Sequence, residues 1–270
     1  MSSPLALEAL TAQALQSVRY VLTDFDDTLT LDGQLPTPTL AALYRLQAAG
    51  VGVIPVTGGC AGWSDMMARV LPVSGVISEG GGVFLQPENG CVEYEFFVAE
   101  ELMRARQAEL LTLLEPLLER FAPLKLSRDQ AYRLTDVAID YGQEIRPPAT
   151  AQCQALLHEL TELGLNAKVS SIHINVCQAG VDKYAMAAKV LAQRLAIAPD
   201  HMAQQVLYVG DAPNDETMFA KFPLSVGVAN ITQHLAHMQH LPRYITAQAG
   251  GLGFAELADK LLLAQTKKAL

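Results

Sequence analysis

Short, near-continuous apolar runs constrain this chain most: Tyr20-Val21-Leu22, Val51 to Val56, Gly75-Val76-Ile77, Val206 to Val209 and Leu224 to Val228. A strand with no polar alternation is buried on both faces, which is the condition of a parallel sheet covered by helices on either side. Helical patterns separate the runs, over Pro38 to Ala49 and over about 63–70, 182–195 and from 253. The spacing predicts an α/β fold with a doubly wound parallel sheet.

Between about 84 and 180 the grammar changes. Strand-like segments at 92–98, 131–141 and 168–177 are separated by helical patterns at about 100–121 and 148–163. In the last strand, Ile172, Ile174 and Val176 alternate with Ser171, His173 and Asn175, so one face is apolar and the other polar. The expected organisation is a core over 1–83 and 181–270, interrupted by an α/β insertion over 84–180. The first 17 or so residues, MSSPLALEALTAQALQS, read as an added helix.

The formal charge of −9 speaks against a phosphate-backbone binder, so nucleic acid is not an expected partner. Cys60, Cys91, Cys153 and Cys177 are scattered without metal-ligand spacing and read as reduced core residues. No apolar run approaches the length of a membrane span, and the start of the chain lacks a basic leader; a cytoplasmic location is expected.

The run Thr23-Asp24-Phe25-Asp26-Asp27-Thr28-Leu29-Thr30 sets three carboxylates at the end of a buried strand. In an open parallel sheet the carboxyl ends of the strands face the ligand crevice. Other strand ends carry Thr57-Gly58-Gly59, the Gly210-Asp211-Ala212-Pro213-Asn214-Asp215 loop, and Gly227-Val228-Ala229-Asn230. Converging carboxylates need a cation, and an all-oxygen donor set favours Mg²⁺. With Thr57, Gly58 and Gly59 to hold phosphate oxygens and Lys183 to supply fixed charge, the pattern suits phosphoryl transfer, with a carboxylate as nucleophile. Asp26, two residues on from Asp24, points the same way along an extended backbone and can exchange a proton with the leaving oxygen.

Asp24-Phe25-Asp26-Asp27-Thr28-Leu29, Thr57-Gly58-Gly59, Lys183 and the GDAPND loop together resemble, in order, the four motifs of the haloacid dehalogenase (HAD) superfamily of phosphohydrolases. The insertion resembles the Cof-like subfamily with a large α/β cap. Ser78-Glu79-Gly80-Gly81 and Gly250 to Glu256 look most like the sucrose-phosphate and mannosyl-3-phosphoglycerate phosphatase branch. The resemblance implies a Rossmann-like core with an inserted cap, and a Mg²⁺-dependent phosphatase acting on a small phosphorylated molecule such as a sugar phosphate.

By that resemblance Asp24 is the nucleophile that becomes an aspartyl phosphate, and Asp26 the general acid and base. Asp24, the Asp26 carbonyl and Asp211 bind metal, with Asp215 direct or through water. Thr57 and Lys183 bind the phosphoryl group, and Asn214 orients phosphate or lysine. Two positions depart from the pattern: Asp27 stands where glycine is frequent, and Gly59-Cys60 where a basic residue is frequent.

Other residues invite weaker readings. Asp27 is read as a turn residue; His173 and Asn175, with Ser171, are either a solvated strand face or substrate-selecting groups. Arg128 and Arg133 are read as surface charge, with the holding of an anionic substrate group as the alternative, His234, His237 and His240 as an exposed helix face, and Cys60 as a bystander. A phosphomutase using the same residues and a non-catalytic phospholigand-binding protein are the alternatives. The oligomeric state is not legible.

Overall fold

The computed structural model describes residues 3–170 and 172–266. Its strands are β1 (Leu5–Ala6), β2 (Tyr20–Thr23), β3 (Gly52–Pro55), β4 (Val76–Ser78), β5 (Val83–Glu88), β6 (Cys91–Phe96), β7 (Lys125–Leu126), β8 (Val137–Asp140), β9 (Asn166–Val169), β10 (His173–Cys177), β11 (Val206–Gly210), β12 (Ser225–Gly227) and β13 (Tyr244–Ile245). Its helices are α1 (Ala12–Leu15), α2 (Thr37–Ala48), α3 (Ala61–Val70), α4 (Glu100–Leu118), α5 (Thr150–Glu162), α6 (Lys183–Gln193), α7 (Pro199–Gln205), α8 (Glu216–Lys221) and α9 (Gly250–Thr266).

Six parallel strands form the main sheet in the order β1-β13-β12-β11-β2-β3. The apolar runs feed both of its faces. Val21, Val53, Leu207 and Val209 enter one core with α2 and α9, while Leu22, Ile54 and Tyr208 enter the other with α6 and α8. Each such fully buried aliphatic side chain contributes roughly 1.5–3 kcal/mol.

The chain leaves β2 toward β3 on one side and returns as β11 on the other. That reversal opens the crevice at the carboxyl ends of β2 and β11. The backbone amide of Asp24 donates to the carbonyl of Val209, so Asp24 and Asp211 emerge side by side.

A second sheet, β7-β8-β10-β9, is antiparallel. Val137, Ile139, Ile174 and Val176 pack beneath Leu110, Leu114 and Leu117 of α4 and Leu156 and Leu160 of α5. Its other face therefore holds the alternate residues, Ala138, His173, Asn175 and Lys168, the last paired with Asn175 across the ladder. A small sheet, β4-β5-β6, connects the two units.

Four expectations change. The start of the chain is not one helix but β1, a turn of 3₁₀ helix and the four-residue α1, because Leu5-Ala6 adds an edge strand beside β13. Residues 131–141 are not one strand: a 3₁₀ segment, Arg128–Tyr132, precedes β8. Residues 168–177 form two antiparallel strands, β9 and β10, rather than one; Ser171, between them, lies outside the described residues. Val83–Glu88, read as the start of the changed pattern, is a strand of a hairpin with β6.

Among the described residues no helix is long and apolar enough to cross a membrane. The cysteines are free, with Cys91 exposed and the other three buried.

Candidate active site

Asp24 is buried at the end of β2. Its Oδ1 accepts from Lys183 Nζ at 2.5 Å, while Oδ2 accepts no hydrogen bond among the described residues; the residue lines a cavity of about 80 Å³. Burial raises the Asp24 pKa well above the usual carboxylate range; Lys183 opposes this, while Asp215 and Asp211 reinforce it. Asp26 lines the same cavity as an exposed residue. Asp27, at φ 54°, makes the turn, its amide donating to Thr30 Oγ1.

Asp211 is gripped from both sides. Thr28 Oγ1 donates to one carboxylate oxygen at 3.0 Å and Asn230 Nδ2 to the other at 2.9 Å. Burial, and then Asp215, push its pKa up to about 7. Ligand oxygens of Asp24, Asp211 and Asp215 lie within 4.8 Å of one another. An all-carboxylate, oxygen-only set of this spacing fits a hard divalent cation such as Mg²⁺.

Asp215 is occupied differently. Its Oδ1 accepts from Lys183 Nζ at 2.7 Å and Tyr208 Oη at 2.6 Å, and its Oδ2 from the amides of Asp211 at 3.0 Å and Ala212 at 3.3 Å. Those four donors fill the acceptor positions of a carboxylate, so in this arrangement Asp215 orients its neighbours. Gly210 permits it: a Cβ there would run into the Asp215 carboxylate. Lys183 opens α6 behind an N-cap in which Asp182 accepts from the Ala185 amide at 2.7 Å. Burial works against its charge, but Asp215 and Asp24 more than offset that and hold it protonated.

Thr57 is buried after β3, and its Oγ1 accepts from the Gly59 amide at 2.9 Å. That amide is thus engaged within the loop, unlike the free donor expected from the sequence. Gly58 and Gly59 both line the cavity. Asn214 lines it too, and its buried Oδ1 has no partner among the described residues.

The second unit covers this site. Asn175 Nδ2 donates to the Gly58 carbonyl at 3.3 Å and to Asp136 at 3.0 Å. His173 is buried rather than solvated, its Nε2 2.8 Å from Gln143 Oε1. Burial, and then Arg133, lower its pKa, so it stays neutral near pH 7.

Arg133 is not surface charge. Its side chain is fully buried, and it donates to the Gly58 carbonyl at 3.0 Å, to both oxygens of Asp136 and to both of Asp129. Arg128 is an exposed ion-pair partner of Glu144. His237 ends a short 3₁₀ turn, His234 joins two such turns and His240 lies in a bend beyond them, so the three share no helix face.

Glu79 fastens the two units from the core side. Its carboxylate accepts from the amides of Ala61, Leu134 and Thr135 and from Thr135 Oγ1. Gly82 leaves the room for Thr135 that a Cβ would fill. Burial, and then Asp136, push the Glu79 pKa up to about 7.

Sequence reasoning missed Tyr208, Asp129, Asp136 and Gln143, and the parts that Glu79 and Arg133 play. For Tyr208 a signal existed, a hydroxyl within an otherwise apolar strand three residues before Asp211; for Arg133 it was an acidic residue four positions before and another three after.

The sequence pattern of the haloacid dehalogenase-like hydrolase family matches residues 129–247. A phosphoglycolate phosphatase of Saccharolobus solfataricus is 28% identical over 91% of this chain and 96% of its own. One from Methanothrix thermoacetophila is 25% identical over 90% and 97%. Over residues 129–247 the chain is similar to the haloacid dehalogenase-like hydrolases. That match and the phosphatase relatives together make it an enzyme of the phosphatase class.

Solved structures agree on the fold. The C-terminal domain of Candida albicans trehalose-6-phosphate phosphatase aligns with TM-score 0.70 at 14% identity, over 98% of this chain and 99% of that one. Synechocystis sucrose-phosphatase, in complex with sucrose and phosphate, aligns at 0.61 and 18% identity, over 91% and 98%.

Proposed function

We propose that this haloacid dehalogenase-like protein is a Mg²⁺-dependent phosphatase that hydrolyses a small phosphate monoester, a sugar phosphate by preference, through an aspartyl phosphate on Asp24. The observation that carries the reading is Asp24 in the wall of a cavity, its Oδ1 pinned by Lys183 and its Oδ2 without a hydrogen bond among the described residues. A carboxylate held by one oxygen presents the other for in-line attack without rotating.

Asp24, Asp211 and the carbonyl of Asp26 would hold the metal, with Asp215 acting through Asp211 and Lys183 or through water. Bound Mg²⁺ would supply positive charge against the phosphoryl oxygens. Thr57 Oγ1, the Gly58 amide and Lys183 receive the remaining phosphoryl oxygens, and Asn214 offers its unpartnered Oδ1 nearby. Asp24 Oδ2 bonds to phosphorus as the ester oxygen departs, and Asp26 gives that oxygen a proton. Asp26 then takes a proton from a water, whose oxygen bonds to phosphorus; the Asp24–phosphorus bond breaks, and inorganic phosphate and Asp24 are released.

We assign 84–180 as the cap, and 1–83 with 181–270 as the core. Capping by Asn175 and Arg133, both bonded to Gly58, keeps bulk water from the aspartyl phosphate as it forms. The reduced cysteines fit a cytoplasmic location.

The test is phosphate release from a panel of sugar phosphates and short-chain phosphate esters, with Mg²⁺ or EDTA, against Asp24→Asn as blank. Metal-dependent release is expected. A folded, Mg²⁺-binding protein that releases none would overturn the reading.

A further inference from the structure

The cavity wall combines two chemically unlike sets of groups. Asp24, to which Lys183 is bonded, and Asp211 are one; Trp63, Asp129, Gln143 and His173 are the other. A leaving group in this cavity meets the second set, so the charge there bears on what can leave.

Asp129 presents an ionised carboxylate there. It accepts from Arg133 Nε at 3.1 Å and Arg133 Nη2 at 2.8 Å, and from Ser127 Oγ. Burial works against its charge, but Arg133 outweighs it and lowers the Asp129 pKa. Three donors leave one acceptor position on this cavity-lining carboxylate, which a hydroxyl can fill and a second carboxylate cannot.

Arg133 cannot compensate. Among the described residues it is the one permanent cation in the cavity wall, and its guanidinium already serves Asp129, Asp136 and the Gly58 carbonyl. The charge of Arg133 is already shared with Asp129 and the buried Asp136, so another anion beside Asp129 meets repulsion that no uncommitted cation in this wall offsets. His173, held neutral, adds no cation.

The other groups suit a polyol. Gln143 spends its Oε1 on His173 and keeps its amide hydrogens. Trp63, 52% exposed, offers an aromatic surface to C–H groups. Lys168 lines a neighbouring recess of about 40 Å³ together with Lys183, and Gly58, Ser170, Asn175 and Asn214 border both spaces.

We propose that the cavity wall of Asp129, Trp63, Gln143 and His173 selects an uncharged polyhydroxy leaving group and rejects one carrying a carboxylate. The inference rests on the phosphatase reading and names its substrate class. It parts from the substrate in the names of the phosphoglycolate phosphatase relatives, which are 25–28% identical to this chain.

Matched esters test it: 2-hydroxyethyl phosphate against phosphoglycolate, and glycerol 3-phosphate against 3-phosphoglycerate. Within each pair a hydroxymethyl group replaces a carboxylate. The natural protein with Mg²⁺ should favour the uncharged member by at least about tenfold in kcat/KM. Asp129→Asn should narrow that ratio by raising activity on the carboxylate, since it removes the repelling charge and loosens Arg133. Equal rates, or a preference for the carboxylate that Lys168→Met abolishes, would overturn the proposal. So would a neutral preference that a folded Asp129→Asn leaves untouched.

Trp63 is the only tryptophan in the chain, so its fluorescence reads occupancy directly. In Asp24→Asn, quenching should saturate at lower concentration with the uncharged member of each pair; the reverse order would count against the proposal. If no ester is turned over, the phosphatase reading falls, and this titration still decides the charge preference.

Discussion

The ammonium of Lys183 lies 2.5 Å from Oδ1 of Asp24, although 159 positions separate them in sequence. It lies 2.7 Å from Oδ1 of Asp215 as well, so one buried cation serves two buried carboxylates. Asp24 is thereby held with one oxygen pinned and one free.

Asp24→Asn should abolish turnover, by at least about a thousandfold, because a carboxamide cannot form the acyl phosphate. The melting temperature should hold or rise, since a neutral amide replaces a carboxyl that burial already disfavours as a charge. Phosphate release and thermal denaturation measure the two effects, and residual turnover near the natural rate would remove Asp24 from the nucleophile's place.

Lys183→Met should destabilise the chain by roughly 3–5 kcal/mol, because Asp24 and Asp215 lose their shared counter-charge inside the protein. Mg²⁺ should restore part of that loss. Urea denaturation with and without Mg²⁺ gives both numbers; a variant as stable as the natural chain would show that the ion pair contributes nothing net.

Tyr208→Phe isolates positioning from chemistry. The hydroxyl donates to Asp215 at 2.6 Å and touches neither end of the reaction. Its loss should cost about 1.5–3 kcal/mol, as expected for a buried hydrogen bond to a charged group. Through the loosened Asp215 it should lower kcat more than it changes KM. Unchanged kcat with reduced stability would assign Tyr208 to packing alone.

Glu79→Gln turns one carboxylate oxygen into a donor facing the donors of Leu134 and Thr135, and should loosen the join between cap and core. Burial raises the Glu79 pKa from about 4.5 to about 7. A raised folded-state value means its stabilisation is complete below about pH 4.5 and is lost as pH rises through 7. The melting-temperature advantage of the natural chain over Glu79→Gln should therefore shrink from pH 5 to pH 8 in Mg²⁺. An advantage that grows over that range would reverse the sign and sink the assignment.

The doubly wound sheet was legible because its strands are apolar on successive residues, a pattern set by burial on both faces alone. Asp24, Thr57, Lys183, Asp211 and Asp215 stood out because each follows a strand or opens a helix at the sheet's carboxyl edge, where side chains reach the crevice. The β9–β10 hairpin was not legible: two short strands joined at residues 170–172 keep the alternation of one longer strand. The N-terminal edge strand escaped because two residues carry no period.

What the sequence determined by itself was the set of groups able to do chemistry and the sheet that gathers them, since both follow from local pattern and strand order. The tertiary structure decided how those groups divide the work. Asp215 has its four acceptor positions filled by Lys183, Tyr208 and two backbone amides. Arg133 is buried between Asp129 and Asp136 instead of meeting solvent. The cation of Asp215, Lys183, arrives from 32 positions away, whereas Arg133 finds Asp129 and Asp136 within four residues; what only the folded chain supplies to Arg133 is its burial and the Gly58 carbonyl, 75 positions away.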